Sequence, residues 1–154
     1  MLSVIATLMA RALLVALFLP FSALDKLLNF AGATDQARQA TASLAFARLL
    51  IVAGFCVEIV CSLTVLTGIA DRLGAFILGL YCVVTALLWK QFWNVPGFRL
   101  QGPDGDRELF WDFLKNLALA GGFLLLAFGG RAGGAAHFFA HPLLSSHPYA
   151  QGPL

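Results

Sequence analysis

Glu58 is a carboxylate set in LAFARLLIVAGFCVEIVCSLTVLTGI, the apolar run from Leu44 to Ile69. About 20 apolar residues cross the hydrocarbon of a bilayer, so this run reads as a transmembrane helix with Glu58 near its middle. A carboxylate at that depth is expensive unless it is protonated, paired or wetted, and it must face other helices or water. The cation nearest in depth is Arg11, in the first apolar run. At 1.5 Å per residue, Glu58 lies about 15 Å and Arg11 about 10–12 Å from the same membrane face. The two helices are antiparallel, and an arginine side chain covers the difference. An Arg11–Glu58 ion pair is therefore expected, because pairing lowers the cost of both charges. The alternative is that this pair does nothing but lock the bundle.

A second polar group gathers at the other face: Lys26, Arg48, Trp89, Lys90, Trp93, Trp111, Lys115 and Asn116. Interface anchoring by snorkelling cations and aromatic belts accounts for most of it. Arg48, Lys115 and Asn116 are the exceptions, one to two turns inside their spans. Cationic and amide donors beside aromatic walls suit an amphipathic ring. Arg48, Trp89, Trp111, Lys115 and Asn116 are thus the candidate cluster for a quinone headgroup; the alternative is that they are snorkelling anchors and nothing more.

Other chemistry is poorly served. The three histidines, His137, His141 and His147, all follow the last span, so no bis-histidine haem site can form within the bundle from this chain. His137 and His141 have the i, i+4 spacing of a metal pair but no carboxylate near them, and no metal site is expected. Cys56, Cys61 and Cys82 form no CxxC dithiol and read as small apolar residues. No catalytic motif that would make the chain an enzyme by itself is present, and the reading leaves enzymatic activity open. No cofactor held covalently or through a metal is expected; quinone and lipid are the candidate ligands.

These residues need helices to position them. The chain of 154 residues is 60% hydrophobic and 12% charged, where a soluble domain carries about 25% charged residues. The apolar residues come in long runs. The fold class is all-α, an integral membrane four-helix bundle over residues 1–130, with spans near 4–24, 44–69, 73–92 and 110–128. The first run is too long for a signal-peptide core and reads as a retained helix. A short interfacial helix is expected between Asn29 and Ala42, with Lys26 and Arg38 at headgroup level. Asp71-Arg72 makes a tight turn, and Pro96-Gly97 and Pro103-Asp104-Gly105 mark turns in the longest polar stretch. Ala75/Gly79 and Ala118/Gly122 are small-xxx-small pairs that permit close helix approach. Residues 131–154, rich in Gly, Ala, Pro and His, read as a loosely structured tail.

Both termini then share one face, with Arg11, Arg72 and Arg131. The other face carries more cations, but several sit within spans or beside carboxylates, so the positive-inside rule leaves the orientation open. The net charge of +2 is too small to suggest nucleic acid as a partner.

Taken together these features resemble the DoxX family of small four-helix membrane proteins. ARALLVALFLPFSALDKLLNF is similar to the family's first helix, with Arg11, Lys26 and Leu27. VEIVCSLTVLTGIADRLGAFIL is similar to its passage from second to third helix, with Glu58, Gly68 and Arg72. FLKNLALAGGFLLLAFGG is similar to its fourth, with Asn116, Leu117, Gly121 and Gly122. The resemblance covers roughly residues 8–130. It implies a multi-pass protein of a bacterial inner membrane, related to subunits of thiosulfate:quinone oxidoreductase. Three readings compete. The first is a subunit of a larger redox or electron-transfer complex in contact with quinone, other subunits and membrane lipid. The second is a structural subunit packed against a respiratory or photosynthetic complex, without chemistry. The third is a small transporter with Glu58 as proton carrier; no internal repeat supports it.

Overall fold

In the computed structural model, which describes residues 2–101, 105–129 and 134–150, seven α-helices build the bundle. They are α1 (Leu2–Val15), α2 (Ala23–Leu28), α3 (Phe30–Ala37), α4 (Leu44–Thr67), α5 (Asp71–Trp89), α6 (Gly105–Phe128) and α7 (Gly134–Ala140). The described residues contain no strand. Among the described residues, four stretches are long and apolar enough to cross a membrane: Leu2–Leu28, Leu44–Thr67, Asp71–Asn94 and Arg107–Phe128. Against the expected limits, the first, third and fourth of these run longer and the second ends at Thr67 rather than at residue 69. Pro103, Asp104 and Arg131 lie outside the described residues.

The first span is not one straight helix. Leu19 leaves helical geometry (φ −124°, ψ 112°) ahead of Pro20, as the steric conflict between a proline ring and the preceding residue dictates. A wide helical turn over Leu17–Ser22 joins α1 to α2. The break re-aims α2, so Ser22 and Lys26 project toward α4.

Ser43 caps α4, its Oγ accepting from the Phe46 N–H at 3.3 Å. Gly68, in the left-handed region at φ 79°, ends it. The chain then reverses directly into α5, which packs against α4 on one side and α6 on the other. The core between them comprises Val65, Ala75, Leu78, Cys82, Ala120 and Phe123, joined by Val15 and Phe18 from the first span. Small residues permit the close approach. A Cβ on Gly74 would stand 1.9 Å from Thr64 Oγ1, and one on Gly79 would meet the Ala120 carbonyl at 3.4 Å. Gly122 instead receives Leu14, whose Cδ1 would lie 3.1 Å from an added Cβ, whereas Ala118 is exposed.

Residues 134–150 depart from the loose tail that composition suggests. Phe138 of α7 is buried, with its ring 5.1 Å from Phe76 and 5.4 Å from Phe128. Beyond α7, Ser145 Oγ accepts from the Ala70 N–H at 2.9 Å, and the Tyr149 hydroxyl donates to the Leu66 carbonyl. The segment folds over the α4–α5 turn and covers that end of the bundle, on the same face as the first turns of α1. At the opposite face, Phe92 anchors the polar connection: its ring lies 5.3 Å from Phe98, 5.0 Å from Phe110 and 5.4 Å from Phe113.

Candidate functional site

Among the described residues, two ion pairs that bury a carboxylate organise the bundle, and neither is the expected Arg11–Glu58 pair. Arg11 Nη2 lies 2.7 Å from Asp71 Oδ2, and Arg11 Nη1 donates to the Val65 carbonyl at 2.7 Å. Ser146 completes this clamp, accepting from Arg11 at 2.9 Å and donating both its N–H and its hydroxyl to Asp71. Arg11 sits at the level of Val65, near the end of α4, about two helical turns from Glu58. The acid it meets opens α5, and the residues closing the clamp come from the tail. Next to it, Arg72 donates through Nε to the Ala127 carbonyl at 2.8 Å and places Nη1 3.1 Å from His137 Nδ1. His137 is therefore engaged by a cation. Among the described residues no three His, Cys, Asp or Glu side chains converge as a metal site would need.

Glu58, 1% exposed, pairs with Lys26 instead. Lys26 Nζ lies 2.7 Å from Oε1 and 2.9 Å from Oε2. Ser22 donates to Oε1 at 3.0 Å and Tyr81 at 2.9 Å, while Lys26 also donates to Ser22 Oγ at 2.7 Å. Lys26 is thus not an interfacial anchor. The kink at Pro20 turns it inward, and i, i+4 spacing stacks it on Ser22. Gly54, one turn before Glu58, leaves room for the phenol: a Cβ there would stand 3.1 Å from Tyr81 Oη.

This group floors a cleft of about 700 Å³ between α2, α3, α4, α5 and α6. The walls are apolar, among them Phe18, Leu50, Ile51, Val57, Leu88 and Leu119. Helix α3 roofs part of it with Ala33, Gln36 and Ala37, and the Trp89 Nε1–H donates to the Gln36 carbonyl at 3.2 Å. The mouth is polar. Asp112 accepts from Lys90 at 3.0 Å and from Lys115 at 3.2 Å. Asn116 donates to the Asp112 carbonyl at 2.9 Å, and Thr85 Oγ1 lies 3.5 Å from Asn116 Oδ1.

Of the five residues expected to gather around a ring, three line this cleft: Trp89, Lys115 and Asn116. The other two do not join them. Arg48 is exposed on the outer side of α4, and Trp111 is 51% exposed, its ring against Phe110 at 5.5 Å. Helical rotation decides this for Trp111, which stands about 100° from Asp112 and about 140° from Asn116 around α6, on its lipid side. The sequence reading does not include Ser22, Tyr81 and Asp112, which the structure places in the cleft. Tyr81 is embedded in an apolar run whose overall hydropathy masks it, though Ser22 and Lys26 at i, i+4 were a usable signal.

The family model for DoxX matches residues 6–91, more than half of the chain. The chain belongs to the DoxX family. The DoxX stretch contains Arg11, Asp71, Lys26, Glu58 and Tyr81, hence both buried ion pairs and the whole cleft floor; only the α6 wall lies beyond it. Searches of the curated proteins and of the solved structures find no match. With its four apolar spans, this DoxX protein is a multi-pass membrane protein in contact with lipid.

Proposed function

We propose that this DoxX protein is a subunit of a bacterial inner-membrane redox complex and holds a quinone in the cleft floored by Lys26, Glu58 and Tyr81. The observation that carries the reading is the cleft itself. A volume of about 700 Å³ falls in the range of small-molecule sites, about 300–1,000 Å³, and its make-up is theirs: apolar walls with a few convergent polar groups. The residues fit a quinone. Trp89 and Tyr81 offer flat walls, and Lys90, Lys115 and Asn116 offer donors at the mouth. The apolar lining between α3, α4 and α5 accommodates an isoprenoid tail. When bound, the quinone supplies two-electron redox chemistry; electrons come from a partner subunit carrying a redox centre. This chain's residues bind the ring, orient it and keep bulk water from it.

The test is photolabelling of the purified protein in lipid nanodiscs with an azido-quinone, followed by peptide mapping. Label on α4 and α5 near Gly54, Tyr81 or Leu88, competed by excess plain quinone, is the expected result. Label confined to lipid-facing residues such as Leu8, Leu13 and Leu125, and not competed, overturns the quinone reading in favour of a structural subunit. Affinity purification from native membranes is expected to bring down a partner with flavin, haem or iron–sulfur absorbance.

A further inference from the structure

Hydrogen-bonding capacity in the cleft is unevenly divided. An ammonium has three hydrogens to donate, a serine or tyrosine hydroxyl one each. Lys26 Nζ directs its three at Ser22 Oγ, Glu58 Oε1 and Glu58 Oε2. The hydroxyl hydrogens of Ser22 and Tyr81 both point to Glu58 Oε1. Every donor at the floor is therefore committed. Lone pairs remain on Tyr81 Oη, on Ser22 Oγ and on Glu58 Oε2, which takes a single bond among the described residues. The mouth is the reverse. Lys90 and Lys115 each use one ammonium hydrogen on Asp112, and Asn116 uses one of its two amide hydrogens.

We infer that this acceptor-only floor selects the hydroxyl-bearing form of the ligand, a quinol, over the quinone. The inference rests on the quinone reading above. Carbonyl oxygens accept and cannot donate, so a quinone ring pressed to the floor meets lone pairs with lone pairs. A quinol places one O–H against Tyr81 Oη or Glu58 Oε2. Its second oxygen then falls toward Asn116, which neighbours Thr85, four residues and about 6 Å along α5 from Tyr81. The spare Asn116 N–H serves the outer oxygen of either redox form, so discrimination comes from the floor alone. Tighter binding of the reduced form favours reduction in the cleft: each tenfold preference raises the midpoint potential of the bound couple by about 30 mV.

The experiment is calorimetric titration of the intact protein in detergent under nitrogen with three matched probes. They are a decyl-substituted benzoquinone, its dithionite-reduced quinol, and the quinol dimethyl ether. The quinol is expected to bind about tenfold or more tighter than the quinone, the usual effect of one hydrogen bond to a charged group. The ether, which keeps the ring and both oxygens, adds two methyl groups and loses both donors, is expected to bind no tighter than the quinone. Glu58→Gln puts an amide donor at the floor and is expected to bring the two redox forms to near parity. Asn116→Leu is expected to weaken both forms by the same factor. If quinone and quinol bind equally to the unmodified protein, or the ether matches the quinol, the selectivity is overturned and the quinone site stands. If no probe binds, both fall. The wild-type titrations decide this even where Glu58→Gln fails to fold.

Discussion

Lys26 Nζ stands 2.7 Å and 2.9 Å from the two carboxylate oxygens of Glu58, a two-pronged contact across 32 positions of sequence. It converts an intramembrane charge that would be prohibitive alone into a hydrogen-bonded group at the base of a cleft. Removing one partner strands the other, and breaking a buried pair costs about 3–5 kcal/mol. Lys26→Met is therefore expected to lower the unfolding temperature in detergent sharply. Lys26→Met combined with Glu58→Leu, which leaves no stranded charge, is expected to be milder than the sum of the single changes. Strict additivity in the thermal scans would show that the two side chains do not interact.

The clamp at the other end makes a separate prediction. Asp71 holds Arg11 and both polar atoms of Ser146, joining the first span, the α4–α5 turn and the tail. Asp71→Asn is expected to be strongly destabilising, since it leaves the Arg11 charge, 7% exposed, without a counter-ion. Ser146→Ala removes a hydroxyl bonded to two charged groups and is expected to cost about 1.5–3 kcal/mol, with faster amide exchange across residues 143–150. Exchange in that segment that is already unprotected in the wild type would contradict the clamp.

Much of this bundle was legible because membrane spans are written in hydropathy alone. Every backbone polar group in lipid must be satisfied within its own segment, so long apolar runs admit only helices. Matching side chains across helices was another matter. Arg11 and Glu58 were paired on depth, but depth counted along straight helices misses a break such as Leu19–Pro20, which carries Lys26 inward. The tail residues that close the Arg11 clamp leave no hydropathy signal at all. Rotation about a helix is equally hidden: Trp89 and Asn116 face the cleft while Arg48 and Trp111 face away. Apolar residues occupy every side of these helices, so no amphipathic stripe fixes which side is inward.

Topology can be checked chemically. Ser3 and Ala150 belong to the face covered by the tail, and Arg99 to the opposite one. Single cysteines at these three positions, in a background where Cys56, Cys61 and Cys82 are replaced by Ala, are expected to label in two groups. Ser3→Cys and Ala150→Cys should react with an impermeant maleimide from one side of sealed vesicles and Arg99→Cys from the other. Reaction of Ser3→Cys and Ala150→Cys from different sides would require an odd number of crossings.

Gly54 tests whether the cleft floor acts as a unit. It lies one turn from Glu58 on α4, and an added Cβ would stand 3.1 Å from Tyr81 Oη, tighter than ordinary contact. Gly54→Ala must therefore move the phenol slightly from Glu58 Oε1, while alanine's better helix propensity offsets about 1 kcal/mol of any strain. The variant is expected to fold with near wild-type stability and to bind quinone or quinol several-fold more weakly. Gly54→Leu fills the floor with a branched side chain and is expected to abolish competed azido-quinone labelling of α5. Tyr81→Phe keeps the ring and removes the hydroxyl, so it separates shape from hydrogen bonding: labelling should persist while the preference for quinol falls. Undiminished competed labelling in Gly54→Leu would place the quinone somewhere other than this cleft.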